Sequence, residues 1–279
     1  MRILKSSDSQ FLGSIPDVYE RMLVPIIFAD YARDLAHRAS KLRPTRVLEI
    51  AAGTGALTRE LASQLGPNAR IVATDLNEPM LRVAARKQTE GQVEWRQADA
   101  LALPFEAAAF DAAACQFGVM FFPDKVKAFG EVRRVLEPGG HFLFNVWDRL
   151  SENDFTDVVV QALTALMPAT PPDFMARIPH GYNDLAKVCA DVASAGLIVM
   201  SAQTLGHISR GVSARDVAVA LCQGTPLRSE IESRQSVSLE QATDVATRAL
   251  IDRYGRGPIE GRLSAHMVEC VVSSAPTPA

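Results

Sequence analysis

The sequence predicts a doubly wound α/β fold: a mostly parallel sheet of seven strands with helices on both faces. Three observations carry that prediction. Short apolar, β-branched runs alternate with helical stretches between residues 46 and 147. Small residues, Ala51 to Gly55, follow the first of those runs, and acidic residues, Asp75 and Asp99, close the second and third.

Taken in order, the apolar residues between Val18 and Leu42 (Leu23, Ile26, Ile27, Tyr31, Leu35, Ala39) recur at spacings of three and four, as on a helix, and Pro25 divides them into two short helices. RVLEI is a run without polar alternation until Glu49, which suits a first, central strand buried on both faces. TRELASQLG then reads as a helix ending at Gly66, RIVATD as a strand, EPMLRVAARKQ as a helix and QVEWRQA as a strand. FDAAACQFG is the fourth strand, DKVKAFGEVRRVLEPGG a helix stopped by Pro138 and Gly139, and HFLFNVW the fifth strand. Right-handed crossovers place every strand's carboxyl end on one edge.

Beyond Asp148 the rhythm changes. Residues 152–167 read as a helix, and the proline-rich stretch MPATPPDFMARIPHGYND as a loop over the site. GLIVMSAQTLGHIS and GRLSAHMVECVVSS are two late strands, preceded by helical DLAKVCADVASA and LEQATDVATRALIDRYG. The tail SSAPTPA is expected to fray. The domain division is a helical lid over residues 1–42 and a main domain over 43–279, with a cap or loop insertion at about 150–182.

Bulk properties narrow the partners. With 279 residues and 48% hydrophobic content the chain buries a sizeable core. A net charge of -3 with scattered Lys and Arg draws no polyanion to one face, so nucleic acid is disfavoured. Cys115, Cys189, Cys222 and Cys270 lie far apart without a C-x-x-C pair, which predicts reduced thiols in a cytoplasm rather than a zinc site or disulfides. No run reaches the ~20 apolar residues of a spanning helix, so no membrane insertion is expected. His37, His141, His207 and His266 show no metal-ligand spacing, and no metal is expected.

The chemistry concentrates at the strand ends. In Glu49-Ile50-Ala51-Ala52-Gly53-Thr54-Gly55 small residues let backbone approach a ligand, at the sheet edge where open α/β sheets bind. Asp75, twenty positions after Gly55, can accept hydrogen bonds from both ribose hydroxyls of an adenosine, or cap the helix that follows, as Asn77 can. Asp99 offers a carboxylate to a purine amino group.

In order and in spacing, VLEIAAGTGALT, ATDLNEPML, QADALALPF, FDAAACQFGVMFFPD and EVRRVLEPGGHFLF resemble the motifs of the class I S-adenosylmethionine-dependent methyltransferases, small-molecule branch, which includes the ubiquinone and menaquinone C-methyltransferases. The resemblance covers roughly residues 45 to 147. It implies that the cofactor is S-adenosylmethionine, the product S-adenosylhomocysteine, and the last strand antiparallel. It places Glu49 near the methionine end, with the backbone around Ala51, Gly53 and Gly55 wrapping the amino-acid part. By the same resemblance Asp75 binds the ribose, Leu76 and Met80 flank the adenine, and Asp99 with Ala100 addresses its amino edge. Gln116 and Phe117 face the sulfonium and the acceptor. Ala51 departs from the family's commoner glycine, so an extra methyl must be accommodated there.

The expected reaction is methyl transfer to a small apolar or phenolic acceptor. Three groups are candidates for a general base: Tyr19, His180 and Asp148. Each also has a structural reading, as a packed aromatic, a surface histidine and a helix cap respectively. Residues 11–35 and 168–182, with Phe11, Tyr19, Phe28, Tyr31, Phe174 and Tyr182, are expected to form a lid. The alternatives are a methyltransferase acting on a protein or nucleic acid, a cofactor-binding protein without turnover, and an NAD(P)-dependent oxidoreductase. The last draws on the loose fit of Ala51, Gly53 and Ala56 to a dinucleotide fingerprint, but it leaves Asp99 and the QFG strand end without a role. A monomer or homodimer is expected.

Overall fold

A computed structural model describes residues 6–88, 92–234 and 236–274, so the end of the tail expected to fray lies outside the described residues. The elements run in chain order as α1 (Ile15–Val18), a π-helical stretch (Tyr19–Phe28), α2 (Ala29–Lys41), β1 (Arg46–Ile50), α3 (Ala56–Leu65), β2 (Arg70–Asp75), α4 (Glu78–Lys87) and β3 (Gln92–Gln97). They continue with β4 (Phe110–Gln116), α5 (Lys125–Val135), β5 (Leu136–Trp147), α6 (Asp154–Leu166), α7 (Phe174–Arg177) and α8 (Leu185–Ser194). The last are β6 (Leu197–Gly211), α9 (Ala214–Gln223), α10 (Leu227–Ser233), α11 (Leu239–Tyr254) and β7 (Ile259–Val272).

The seven strands form one sheet in the order β3-β2-β1-β4-β5-β7-β6. β1 to β5 pair in parallel, and β7 inserts antiparallel between β5 and β6. The expected mostly parallel sheet with an antiparallel last strand is therefore what forms. Strand alternation sorts the core into two faces. Val47 points to Leu35 and Ala36 of α2 and to Leu57 and Leu61 of α3. Leu48 and Ile50 point the other way, into a cluster that holds Phe129 and Val132 of α5 and Val188 and Val192 of α8.

Four local expectations change. Pro25 does not divide two helices. It sits inside the π-helical stretch, where the Ala29 N–H bonds the carbonyl of Val24, and the widened turn takes up a residue that has no N–H to give. The helix expected to run to Pro138 ends at Val135, because the next residue, Leu136, is already extended. Proline also disfavours helical backbone at Glu137 before it. The proline-rich stretch contains one short helix, α7. Finally, residues 214–233, left without elements in the sequence, fold as α9 and α10. Ser213 caps α9 through the Asp216 N–H, and α9 packs on α11, on α6 and on the π-helical stretch.

Candidate active site

The site begins with the turn after β1. Ala51, Gly53 and Gly55 all have left-handed backbone, with φ of 56°, 57° and 82°. For the two glycines this is unstrained, whereas for Ala51 it costs roughly 1–2 kcal/mol. The extra methyl of Ala51 is accommodated by Gly118 after β4, where a Cβ would collide with both the Ala51 Cβ and the Cys115 Sγ. The turn is tied to the neighbouring strand: Ala52 N–H donates to the Thr74 carbonyl at 2.8 Å, and Gly53 N–H to Asp75 Oδ2 at 2.8 Å.

At the carboxyl ends of β1, β2 and β4 this backbone lines a cavity of about 320 Å³. Ala51, Gly53, Asp75, Leu76, Met80, Asp99 and Ala100 border it, as do Gln116 and Phe117. Glu49 and Gly55 do not. Glu49 lies behind the turn, 1% exposed, with Oε2 unpartnered among the described residues, and burial pushes its carboxyl up to about 8. Gly55 starts α3, and a Cβ there would press on Trp95 and Ala84 at 3.0 and 3.1 Å, so its role is the close packing of helix on sheet.

The residues present fit an adenosine-bearing cofactor. Asp75 Oδ2 accepts the Gly53 N–H and retains a lone pair for a hydroxyl, while Oδ1 accepts the Asn77 N–H at 2.7 Å and, at 3.4 Å, the Asn77 side-chain amide, which a ribose hydroxyl can displace. Burial raises the Asp75 carboxyl above the usual range, against the pull of those N–H donors. Among the described residues the Asp99 carboxylate accepts from the Leu101 N–H at 2.9 Å, and it is exposed. Leu76 lies on the wall half exposed, an apolar surface suited to a flat base. At Gly53 it is the left-handed backbone rather than space that asks for glycine, since a Cβ there would meet Met80 at an ordinary 3.6 Å.

A second, tight cavity, of about 60 Å³, adjoins the first; Phe11, Tyr19, Phe117 and Phe121 border both. Phe117, with φ of 52°, is held by its N–H to the Asn145 side-chain oxygen at 3.0 Å and stacks on Trp147 with ring centroids 3.8 Å apart. Tyr19 stacks on Phe28 at 5.1 Å and meets Phe11 edge-on. Gln116 Nε2 donates to the Phe28 carbonyl and fixes this N-terminal segment to the end of β4.

Of the three base candidates, two face this second cavity. Tyr19 borders it with its hydroxyl held protonated, since burial and the nearby Asp75 charge raise its pKa. His180 is 5% exposed and borders it too. Asp148 does not border it: its carboxylate accepts from Ser264 Oγ at 2.9 Å and from the Arg149 N–H at 2.7 Å. The expected lid segments supply Phe11, Tyr19, Phe28, Phe174 and His180 to the wall. Tyr31 and Tyr182 point elsewhere, bonded to the Leu205 carbonyl and to Asp191. A buried bidentate ion pair, Arg177 to Asp8 at 2.5 and 2.8 Å, ties the second segment to the chain just ahead of the first. The sequence reading missed Trp147, Asn153, Thr156, Leu221 and Leu263 as wall residues. The apolar run VAVALC carries the one signal that would have pointed to Leu221.

Residues 48–144 match the methyltransferase domain family. The chain carries a methyltransferase domain. The domain is 46% identical over 102 residues to the demethylmenaquinone methyltransferase of Thermus thermophilus, which covers 36% of this chain and 46% of that one. To a ubiquinone/menaquinone biosynthesis C-methyltransferase of Ectopseudomonas mendocina it is 43% identical over 109 residues, 37% of this chain and 43% of the relative. The chain thus spans less than half the length of these curated relatives. In structure it is similar to an N-methyltransferase of Haemonchus contortus solved with phosphomonomethylethanolamine and S-adenosylhomocysteine. The TM-score is 0.59 at 15% identity, over 97% of this chain and 61% of that one, a likeness of fold. Among the described residues no helix is long and apolar enough to cross a membrane, and no group of three or more His, Cys, Asp or Glu side chains is placed to hold a metal.

Proposed function

We propose that this chain transfers the methyl group of S-adenosylmethionine to a small apolar or phenolic acceptor by in-line displacement. The observation that carries the reading is the meeting of two cavities at Tyr19 and Phe117, one polar at its strand-end carboxylates and one walled by aromatic and aliphatic side chains. When bound, the cofactor supplies a methyl group made electrophilic by a sulfonium. Asp75 and Asp99 fix the adenosine, Leu76 and Met80 flank its base, and Ala51 with Gly53 leave room for the amino-acid end. Phe117 and Tyr19 mark the boundary across which nucleophile and methyl are aligned, and alignment in a dry pocket is the larger part of the catalytic task. The Arg177–Asp8 pair ties residues 168–182 at the acceptor cavity to the chain just ahead of the N-terminal lid segment, and a wall closed in this way favours a small molecule over a polymer. Four free thiols, Cys115, Cys189, Cys222 and Cys270, accord with a cytoplasmic setting.

Calorimetric titration of S-adenosylhomocysteine into wild type and Asp75→Ala tests the reading. Loss of a charge-assisted ribose contact should weaken binding by roughly 1.5–3 kcal/mol. Equal affinity for the two proteins, or no binding to wild type, overturns it.

A further inference from the structure

We propose that His180 is the general base of this transfer and that the acceptor is an aromatic ring bearing a hydroxyl, methylated on oxygen. The inference rests on the cofactor occupying the larger cavity. His180 Nδ1 lies 2.8 Å from the main-chain carbonyl of Asp148. A carbonyl only accepts, so Nδ1 carries the hydrogen, and the neutral ring then has its lone pair on Nε2. Nε2 meets no hydrogen-bond partner among the described residues, and His180 borders the smaller cavity. Burial pushes this imidazole down to about 4, which keeps it neutral and able to accept a proton throughout the physiological range.

The carbonyl that orients the ring is itself held fast. Asp148 N–H donates to the Ser264 carbonyl at 3.1 Å, and the Asp148 carboxylate takes the Ser264 hydroxyl. Two other polar wall groups, Asn153 and Thr225, are already occupied. Asn153 spans Arg149 and Ser264 with both ends of its amide, and the Thr225 hydroxyl donates to Leu221 and accepts from Leu227. The flat pair Phe117 and Trp147 sets the shape of the adjoining wall, and the His180 ring lies 6.0 Å from that of Trp147. A planar ring laid along this pair presents its edge to Nε2.

In the step, the acceptor's O–H bond breaks and its proton passes to Nε2. An oxygen lone pair forms the new bond to the methyl carbon while the carbon–sulfur bond breaks, its electron pair remaining on sulfur as a neutral thioether. The imidazolium afterwards returns its proton to solvent. A weak base suffices, because the hydroxyl oxygen becomes strongly acidic as its bond to carbon forms.

The test uses a panel of two phenols of unlike acidity, a nitrophenol and a methoxyphenol, with methyl-labelled cofactor. Its proteins are wild type, His180→Ala and the volume-conserving His180→Gln, with S-adenosylhomocysteine affinity measured alongside. Wild type should methylate oxygen, and both variants should bind S-adenosylhomocysteine within about twofold of wild type yet lose about 100-fold or more in kcat. The loss should be smaller for the nitrophenol, and added imidazole should restore part of the activity of His180→Ala. The proposal is overturned by variants with near wild-type kcat, or by a deficit that is the same for both phenols and not relieved by imidazole. A wild type that binds S-adenosylhomocysteine but methylates neither phenol, or methylates ring carbon, also overturns it. Absence of S-adenosylhomocysteine binding to wild type would instead undo the cofactor reading beneath it.

Discussion

The two cavities are built on opposite terms. At and behind the larger one the chain accepts local cost: Ala51 has left-handed backbone, as does Phe117 where the two cavities meet, and Glu49 Oε2 is buried behind the turn without a partner among the described residues. Around the smaller one the polar groups of Asn153 and Thr225 are satisfied, and the wall is assembled from six separate stretches of chain. On the cofactor side, strain falls on the turn that must approach a ligand of fixed chemistry. The acceptor side is shaped by packing, which can be altered piecemeal without disturbing the grip.

The largest expected effect falls on the acceptor side. Arg177→Met takes from Asp8 its bidentate guanidinium partner, in a pair whose side chains are only 7% and 4% exposed, and from Asp173 a second contact. Breaking such a pair costs about 3–5 kcal/mol, read as a fall in denaturant midpoint. Adding Asp8→Asn should recover part of that loss. A single variant as stable as wild type would mean that the lid segments are held by their apolar contacts alone, and the contrast between the cavities would weaken.

On the cofactor side the corresponding test is Glu49→Gln. The folded state holds the Glu49 proton up to about pH 8 because the group is buried, while the unfolded chain releases it near its ordinary value of 4.5. Stability is therefore intact below about pH 4.5 and falls as the pH rises toward 8, the unfolded state being the one that gains from ionising. Gln removes that slope. Between these limits its advantage over wild type should grow by about 2–4 kcal/mol, less than the full linkage because neighbours relax as the charge develops. Parallel stability curves for the two proteins would show that Glu49 is not buried as a neutral acid.

The same contrast explains what was legible in the sequence. The cofactor side is local: a turn, two acidic strand ends and the QFG end of β4 are each readable within a few residues. The parallel β1–β5 frame followed from the alternation of apolar runs with helices. The acceptor side is not local. Trp147 and Leu263 come together only because β7 inserts beside β5, and Leu221 only because α9 leans on the π-helical stretch. Where backbone geometry departed from expectation, at Pro25 and at Leu136, the deciding terms were a widened turn and an early extended residue, which composition does not announce.

The smallest effect is also the sharpest, because it concerns one methyl group. Ala51 pays in backbone conformation and Gly118 makes the room, so the two residues form a complementary pair across the ends of β1 and β4. Gly118→Ala should destabilise by about 1–3 kcal/mol through overpacking against Ala51 and Cys115. Ala51→Gly should stabilise by less than about 1 kcal/mol, relief of the left-handed alanine being offset by the greater freedom of an unfolded glycine. If the collision is what matters, the double variant Ala51→Gly/Gly118→Ala should be more stable than the sum of the singles, by about 0.5–2 kcal/mol in a double-mutant cycle. Part of the penalty should remain in the double variant, because Cys115 Sγ still faces the new methyl at about 2.7 Å before relaxation. Strict additivity would show that Gly118 is required for its own neighbours rather than for Ala51. Ala51 would then be tolerated by backbone alone.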